Sequence, residues 1–228
     1  RIMSKSPTLE IKELILRVID NITQAKVQNI MSGWRAIFSV YALAGSDRHE
    51  SLNRLAFDAV DRIYLHHWSV TRESFIDLIN CLMVFAKNKK FVQIASLAIA
   101  RIQGAADRLS RERLSEEDAM GYQVNILFTD SKKDTAIWWP ILTGLANLTM
   151  DDRDYIRNIA LTALFKILNE QGHYFSGGLW ELVFKGVLFP IFDDVQHAYD
   201  LNNDNVIAKD NNNGNSLEND DSKLHLVD

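Results

Sequence analysis

Apolar residues recur along this chain at spacings of three and four, without the alternation of a half-buried strand, and this predicts amphipathic helices throughout. Pro7, behind Ser6, opens the first helix as an N1 proline; Leu9, Leu14, Leu16, Val18, Ile19 and Ile22 are its predicted buried stripe, and it ends near Gln24. A second helix carries Ile30, Trp34, Ile37, Phe38, Val40, Tyr41 and Leu43 and stops at Gly45, where glycine suits a left-handed C′ position. The third runs from about His49 to His67, with Leu52, Leu55, Ala56, Val60, Ile63 and Tyr64 on one face. The fourth, capped by Thr71, carries Phe75, Ile79, Leu82, Met83 and Phe85. After a turn at Lys87 to Lys90, the fifth spans about Phe91 to Leu109, where small residues such as Ala98, Gly104 and Ala105 permit close approach of a neighbour.

Residues 110–135 lose the period and carry mixed charge, which predicts a long charged loop. Helical pattern returns over Trp138 to Leu148, Asp154 to Asn169 and Leu179 to about Tyr199. From Asp200 onward Asn and Asp dominate, so residues 200–228 are predicted to be a disordered tail.

Aligning the inner helices by their apolar pairs matches Leu16/Ile19, Val60/Ile63, Ile99/Ile102 and Leu164/Ile167, in steps of 44, 39 and 65 residues. The first two steps fall in the HEAT/armadillo range, and the third exceeds it by about the length of the charged insertion. A helix pair cannot bury its apolar stripe alone, so the expected fold is all-α, a HEAT/armadillo-like helical-repeat solenoid, right-handed, with an extended protein-binding face. The domain reading is therefore repeats over 1–109, the loop 110–135, continuing repeats over 136–199 and the tail.

Composition narrows the function. A content of 47% hydrophobic residues supports a sizeable core, and a net charge of −5 with interspersed signs argues against nucleic acid as a partner. The single cysteine, Cys81, sits among apolar residues as a buried free thiol would, which suits a reducing cytosol. No apolar run approaches the length of a membrane span, and Arg1-Ile2-Met3 has no signal-peptide layout. A chain opening on Arg and entering helix by about residue 8 reads as a piece of a longer protein, whose remainder would cover apolar surface at both ends.

Phosphate-loop, dinucleotide and common zinc motifs are absent, so no catalytic, cofactor or metal residues are expected. Adjacent His66 and His67 point about 100° apart on a helix and cannot converge on one ion. Asp151, Asp152 and Asp154 precede a helix, where acids cap exposed N–H groups. Asp200, Asn202 and Asp204 match the start of a calcium loop, but Asn205 and Asn211 break it. Lys87, Lys89, Lys90 and Arg101 are candidates to face anionic lipid or an acidic partner, but four charges without an apolar insertion face make a weak membrane signal.

The run Asn29-Ile30-Met31-Ser32-Gly33-Trp34-Arg35-Ala36-Ile37-Phe38-Ser39-Val40, followed by Asp47, Glu50-Ser51 and Leu55-Ala56-Phe57, resembles the first homology-downstream region of large Arf guanine-nucleotide exchange factors of the BIG class. A second block agrees: Trp139-Pro140-Ile141-Leu142, Ile156-Arg157, Gly172-His173, Trp180 and Phe189-Pro190-Ile191-Phe192-Asp193. The resemblance covers about residues 5–199. It implies a non-catalytic regulatory module that binds GTP-loaded Arf, a small GTPase, and other regions of its parent protein. It also implies peripheral association with trans-Golgi membranes through partners, relief of autoinhibition, and an exchange reaction located on a separate upstream domain. The competing reading is a HEAT-type trafficking scaffold or adaptor unrelated to Arf exchange. For partner contacts the sequence nominates Trp34 and Arg35, after the Ser32-Gly33 helix start, and Asp47, Arg48, His49 and Glu50, the charged turn between two helices.

Overall fold

The computed structural model describes residues 8–71, 74–119, 131–197 and 199–200, and every regular element among them is helical. By compactness the chain divides into Arg1–Val183 and Phe184–Asp228. The first unit holds α1 (Leu9–Lys26), α2 (Trp34–Gly45), α3 (Glu50–His66), the one-turn α4 (Trp68–Thr71), α5 (Phe75–Lys87), α6 (Val92–Ala119), α7 (Ser131–Leu148), α8 (Asp154–Gln171) and α9 (Gly177–Val183).

The pairs α2/α3, α5/α6 and α7/α8 are antiparallel hairpins whose members pack on each other. Sideways contacts order two layers: α2, α5, α7 and α9 in one, α1, α3, α6 and α8 in the other. This is a HEAT-like solenoid, two helices per repeat. The four helices aligned from sequence form the second layer, and Leu16, Val60, Ile63, Ile99, Ile102, Leu164 and Ile167 are each at most 2% exposed. Trp34, Phe38 and Tyr41 on α2 and Trp138 on α7 fill the space between layers.

Several local expectations are corrected. In α1 only Leu16 and Thr23 are buried, while Leu14, Val18 and Ile22 are 61%, 47% and 54% exposed. The helix packs against α2 and α3 on one side only, so half of its apolar stripe has no neighbour among the described residues. Thr71 closes α4 instead of opening α5. Gly45 is the last residue of α2 and is followed by Ser46 in right-handed geometry. Its missing side chain serves packing, since a Cβ there would lie 2.9 Å from the Phe85 ring. The backbone does turn left-handed at Met31, with φ of 49°, where the second of the two short 3₁₀ turns that separate α1 from α2 begins.

The charged stretch after Leu109 is helix as far as Ala119, and α7 begins at Ser131, so the expected 110–135 loop is overturned over 110–119 and 131–135; residues 120–130 lie outside the described residues. The extension has partners that period counting cannot see. Arg108 donates to the Tyr64 carbonyl at 2.7 Å and lies 4.5 Å and 5.5 Å from the centres of the Tyr64 and Trp68 rings, and the Trp68 indole N–H donates to Glu112. Because α7 starts seven residues before Trp138, Pro140 sits in its interior, where the carbonyl it leaves unpaired belongs to exposed Ala136.

In the second unit Phe184–Leu188 forms a π turn, and helix continues over 189–197. The Phe184 and Phe189 rings lie 6.1 Å apart, and Phe184 is 46% exposed. The expected tail lies, from residue 201, outside the described residues.

Candidate interaction surface

Three turns connect first-layer helices to second-layer helices, and each is built the same way. Asp47 Oδ1 accepts from the His49 N–H at 3.1 Å, Asn88 Oδ1 from the Lys90 N–H at 3.0 Å, and Asp151 Oδ1 from the Arg153 N–H at 3.0 Å. An Asp or Asn that bonds the backbone two residues on reverses the chain without glycine. Each turn then grips the one before it. Asn88 Nδ2 donates to the Gly45 carbonyl at 2.8 Å and the Asp47 carbonyl at 3.3 Å. Arg153 donates to the Asn88 carbonyl at 2.7 Å and the Ala86 carbonyl at 3.2 Å. At the other end Lys12 of α1 binds the Asp47 carboxylate at 2.8 Å, and buried Asn53 donates to the Gly45 carbonyl at 2.6 Å.

The electrostatics match this row of contacts. Partial burial on its own raises the pKa of Asp47, but hydrogen bonds from Lys12 and His49 outweigh it and hold the carboxyl well below the usual carboxylate range. Asp151 is held down mainly by its hydrogen bond from Arg153. The N-cap residue of α8, Arg153, makes no side-chain capping hydrogen bond: Asp151 makes the turn, Asp152 pairs with Lys89, and Asp154 lies in the first helical turn, where an acid suits the positive end of the dipole, and pairs with Arg157.

The nominated contact residues separate into two groups. Trp34 is 1% exposed and stacks on Phe38 with ring centres 5.7 Å apart, so its ring is not presented at the surface. Asp47 is committed to Lys12 and His49 within the turn. Arg35, Arg48 and Glu50 are exposed; Arg35 lies 3.9 Å from Asp77, and Glu50 bonds Arg54 at 3.2 Å. His49 is half-buried, with its ring 2.7 Å from Asp47.

Two grooves escaped the sequence reading, although it had named several of the residues that line the second. Between α6 and α8 of the second layer runs a groove of about 470 Å³ lined by Leu97, Ala100, Gln103, Tyr155, Asn158 and Thr162, among others. Leu97 and Tyr155 expose 46% and 58% of their surface there. The second feature is a groove of about 390 Å³ at the turns, lined by Arg48, Lys87, Lys89 and Lys90. The repeated Asp/Asn-x-His/Lys/Arg triplet was the sequence signal for the turns; nothing in the sequence signalled which turns are adjacent. Among the described residues no helix is long and apolar enough to cross a membrane.

Comparison with known proteins finds relatives along most of the chain. A family model described as Mon2/Sec7/BIG1-like, HDS, matches residues 1–62. Brefeldin A-inhibited guanine nucleotide-exchange protein 3 of Arabidopsis thaliana is 34% identical over 218 residues, covering 89% of this chain and 12% of that protein. Protein 1 of the same plant is 35% identical over 219 residues, 88% of this chain and 13% of the relative, and protein 1 of Homo sapiens is 31% identical over 197 residues, 85% and 10% respectively. The chain thus spans about an eighth of the length of the plant relatives it matches. No solved structure matches it. About one-third identity along most of this chain, together with the homology-downstream family model over residues 1–62, leads to one assignment: this chain belongs to the brefeldin A-inhibited guanine nucleotide-exchange protein family, as a homology-downstream segment.

Proposed function

We propose that this chain is a non-catalytic, protein-binding regulatory segment of a large Arf guanine-nucleotide exchange factor, and that it binds GTP-loaded Arf. In this reading the contact helps to recruit the parent protein to Golgi membranes and relieves its autoinhibition, while nucleotide exchange is carried out by a different domain. The observation that carries the proposal is the similarity along most of the chain to a small part of proteins named as guanine nucleotide-exchange proteins. The geometry supports a binding role. A stack of helix pairs offers an extended face, and the groove between α6 and α8 exposes Leu97 and Tyr155 beside polar Gln103, Asn158 and Thr162. An aromatic and an aliphatic anchor ringed by amide and hydroxyl groups suit a protein surface of mixed polarity.

The test is a pull-down of Arf by the purified chain, with Arf locked in its GTP form or loaded with GDP. The expected result is GTP-dependent capture, reduced about tenfold or more by Tyr155→Ala, since aromatic anchors dominate such interfaces. Equal capture of both forms, or none, rules out the Arf reading. A nucleotide-release assay with the same chain is expected to stay at background.

A further inference from the structure

Arg48 belongs to the turn between α2 and α3, and Lys87, Lys89 and Lys90 lie at the next turn, about forty residues on in sequence. Stacking of the repeats places all four on one concave groove of about 390 Å³ walled by Val84. All four side chains are exposed. Lys89 pairs with Asp152, whereas Arg48, Lys87 and Lys90 have no carboxylate within ion-pair distance among the described residues. The one acid lining the groove, Asp47, is already neutralised by Lys12 from outside it. In a chain of net charge −5 this is a local concentration of positive field, and a concave wall focuses it.

We infer that this groove is a binding site for a compact, multiply charged phosphate group such as a phosphorylated inositol ring. Three features of the groove select that class. The cations converge on one cavity instead of forming the stripe that an extended acidic peptide requires. The volume suits one small headgroup at the lower end of ligand pockets. A guanidinium beside ammonium groups supplies both a bidentate fork and point charges, the combination that phosphate oxygens accept best. Arg101, which the sequence placed with these lysines, is spent elsewhere, since its guanidinium binds both Asp61 oxygens. Arg48, 39 residues before Lys87, takes its place. The inference does not depend on Arf binding.

The ligand can be a lipid headgroup or a free inositol phosphate, and one experiment separates them. The chain is titrated calorimetrically with inositol 1,4,5-trisphosphate and with inorganic phosphate, and is sedimented with phosphatidylcholine vesicles that contain or lack phosphatidylinositol phosphates. Binding to the trisphosphate and to the phosphorylated vesicles is expected, weakened by added salt and lost about tenfold or more in Arg48→Ala/Lys90→Ala, which removes two charge-assisted contacts. Binding to vesicles alone assigns the site to lipid; binding to the soluble ring alone assigns it to a free ligand. The control Arg17→Ala/Lys26→Ala removes the same charge from exposed positions on α1. Equal weakening by that control, no binding of any probe, or tighter binding of polyglutamate than of the trisphosphate overturns the inference. Circular dichroism of both double variants verifies that the fold persists.

Discussion

The guanidinium of Arg153 donates to the main-chain carbonyl of Asn88 at 2.7 Å, joining the third interhelical turn to the second across 65 residues of sequence. The same side chain bonds the Ala86 carbonyl and both oxygens of Asp151, whose side chain is only 7% exposed. Arg153→Ala is therefore expected to destabilise the chain by about 3 kcal/mol, because it strands a largely buried carboxylate as well as two carbonyls. Arg153→Lys should recover only part of this, since an ammonium cannot span the same acceptors. Urea unfolding of the two variants measures both values, and a loss below about 1 kcal/mol for the alanine variant would show that the turns are held by other forces.

Trp34 tests whether a family motif residue is a contact or a core residue. With 1% exposure and its ring stacked on Phe38, Trp34→Ala should cost about 3 to 5 kcal/mol of stability. Arg35→Ala next to it should be close to neutral, because its ion pair with Asp77 is exposed. Thermal melts of the pair make the comparison; similar melting temperatures would place the indole outside the core.

Gly45 and Phe85 approach so closely that a methyl group on the glycine would meet the ring at 2.9 Å. Gly45→Ala is expected to lose about 1 to 3 kcal/mol through overpacking, despite alanine's better helix propensity. Adding Phe85→Leu to Gly45→Ala should return part of the loss, and a double-mutant cycle in urea reads the coupling.

Met31 holds a left-handed backbone at φ 49° while its side chain is 72% exposed. Little packing is at stake, so Met31→Gly should stabilise the chain by about 1 kcal/mol by relieving that conformation. An unchanged or lower melting temperature would show that the methionine side chain contributes more than its exposure suggests.

Acid should loosen the turns. Asp47 and Asp151 both titrate below the usual carboxylate range in the folded chain, so each contributes stability that is present above its unfolded pKa of about 4 and is lost as pH falls through the lower folded value. The urea midpoint is expected to decline below about pH 4 from these two groups. Asp47→Asn/Asp151→Asn should lower the midpoint at neutral pH and flatten its acid limb. An acid limb of undiminished steepness in that variant would assign the effect to other carboxylates.

Helical periodicity was enough to read the all-α class and the repeat, because a 3.6-residue stripe is a property of each segment alone. The aligned pairs from Leu16 to Ile167 identify one layer of the solenoid before any contact is known. Two family blocks likewise needed only local order along the chain. What the stripe could not decide was which apolar residues find a neighbour. Leu14, Val18 and Ile22 look like core by spacing, yet they lie on the side of α1 that no described helix covers. Nor could it show that charged residues beyond Leu109 stay helical, because the anchors of that extension, Tyr64 and Trp68, lie more than forty residues away. The candidate surfaces have the same origin. Arg48 meets Lys87 and Lys90, and Leu97 meets Tyr155, only because repeats stack side by side. Sequence thus determined the helices and their period, properties carried by neighbouring residues, whereas burial and the two grooves are properties of pairs of repeats and were decided by tertiary packing.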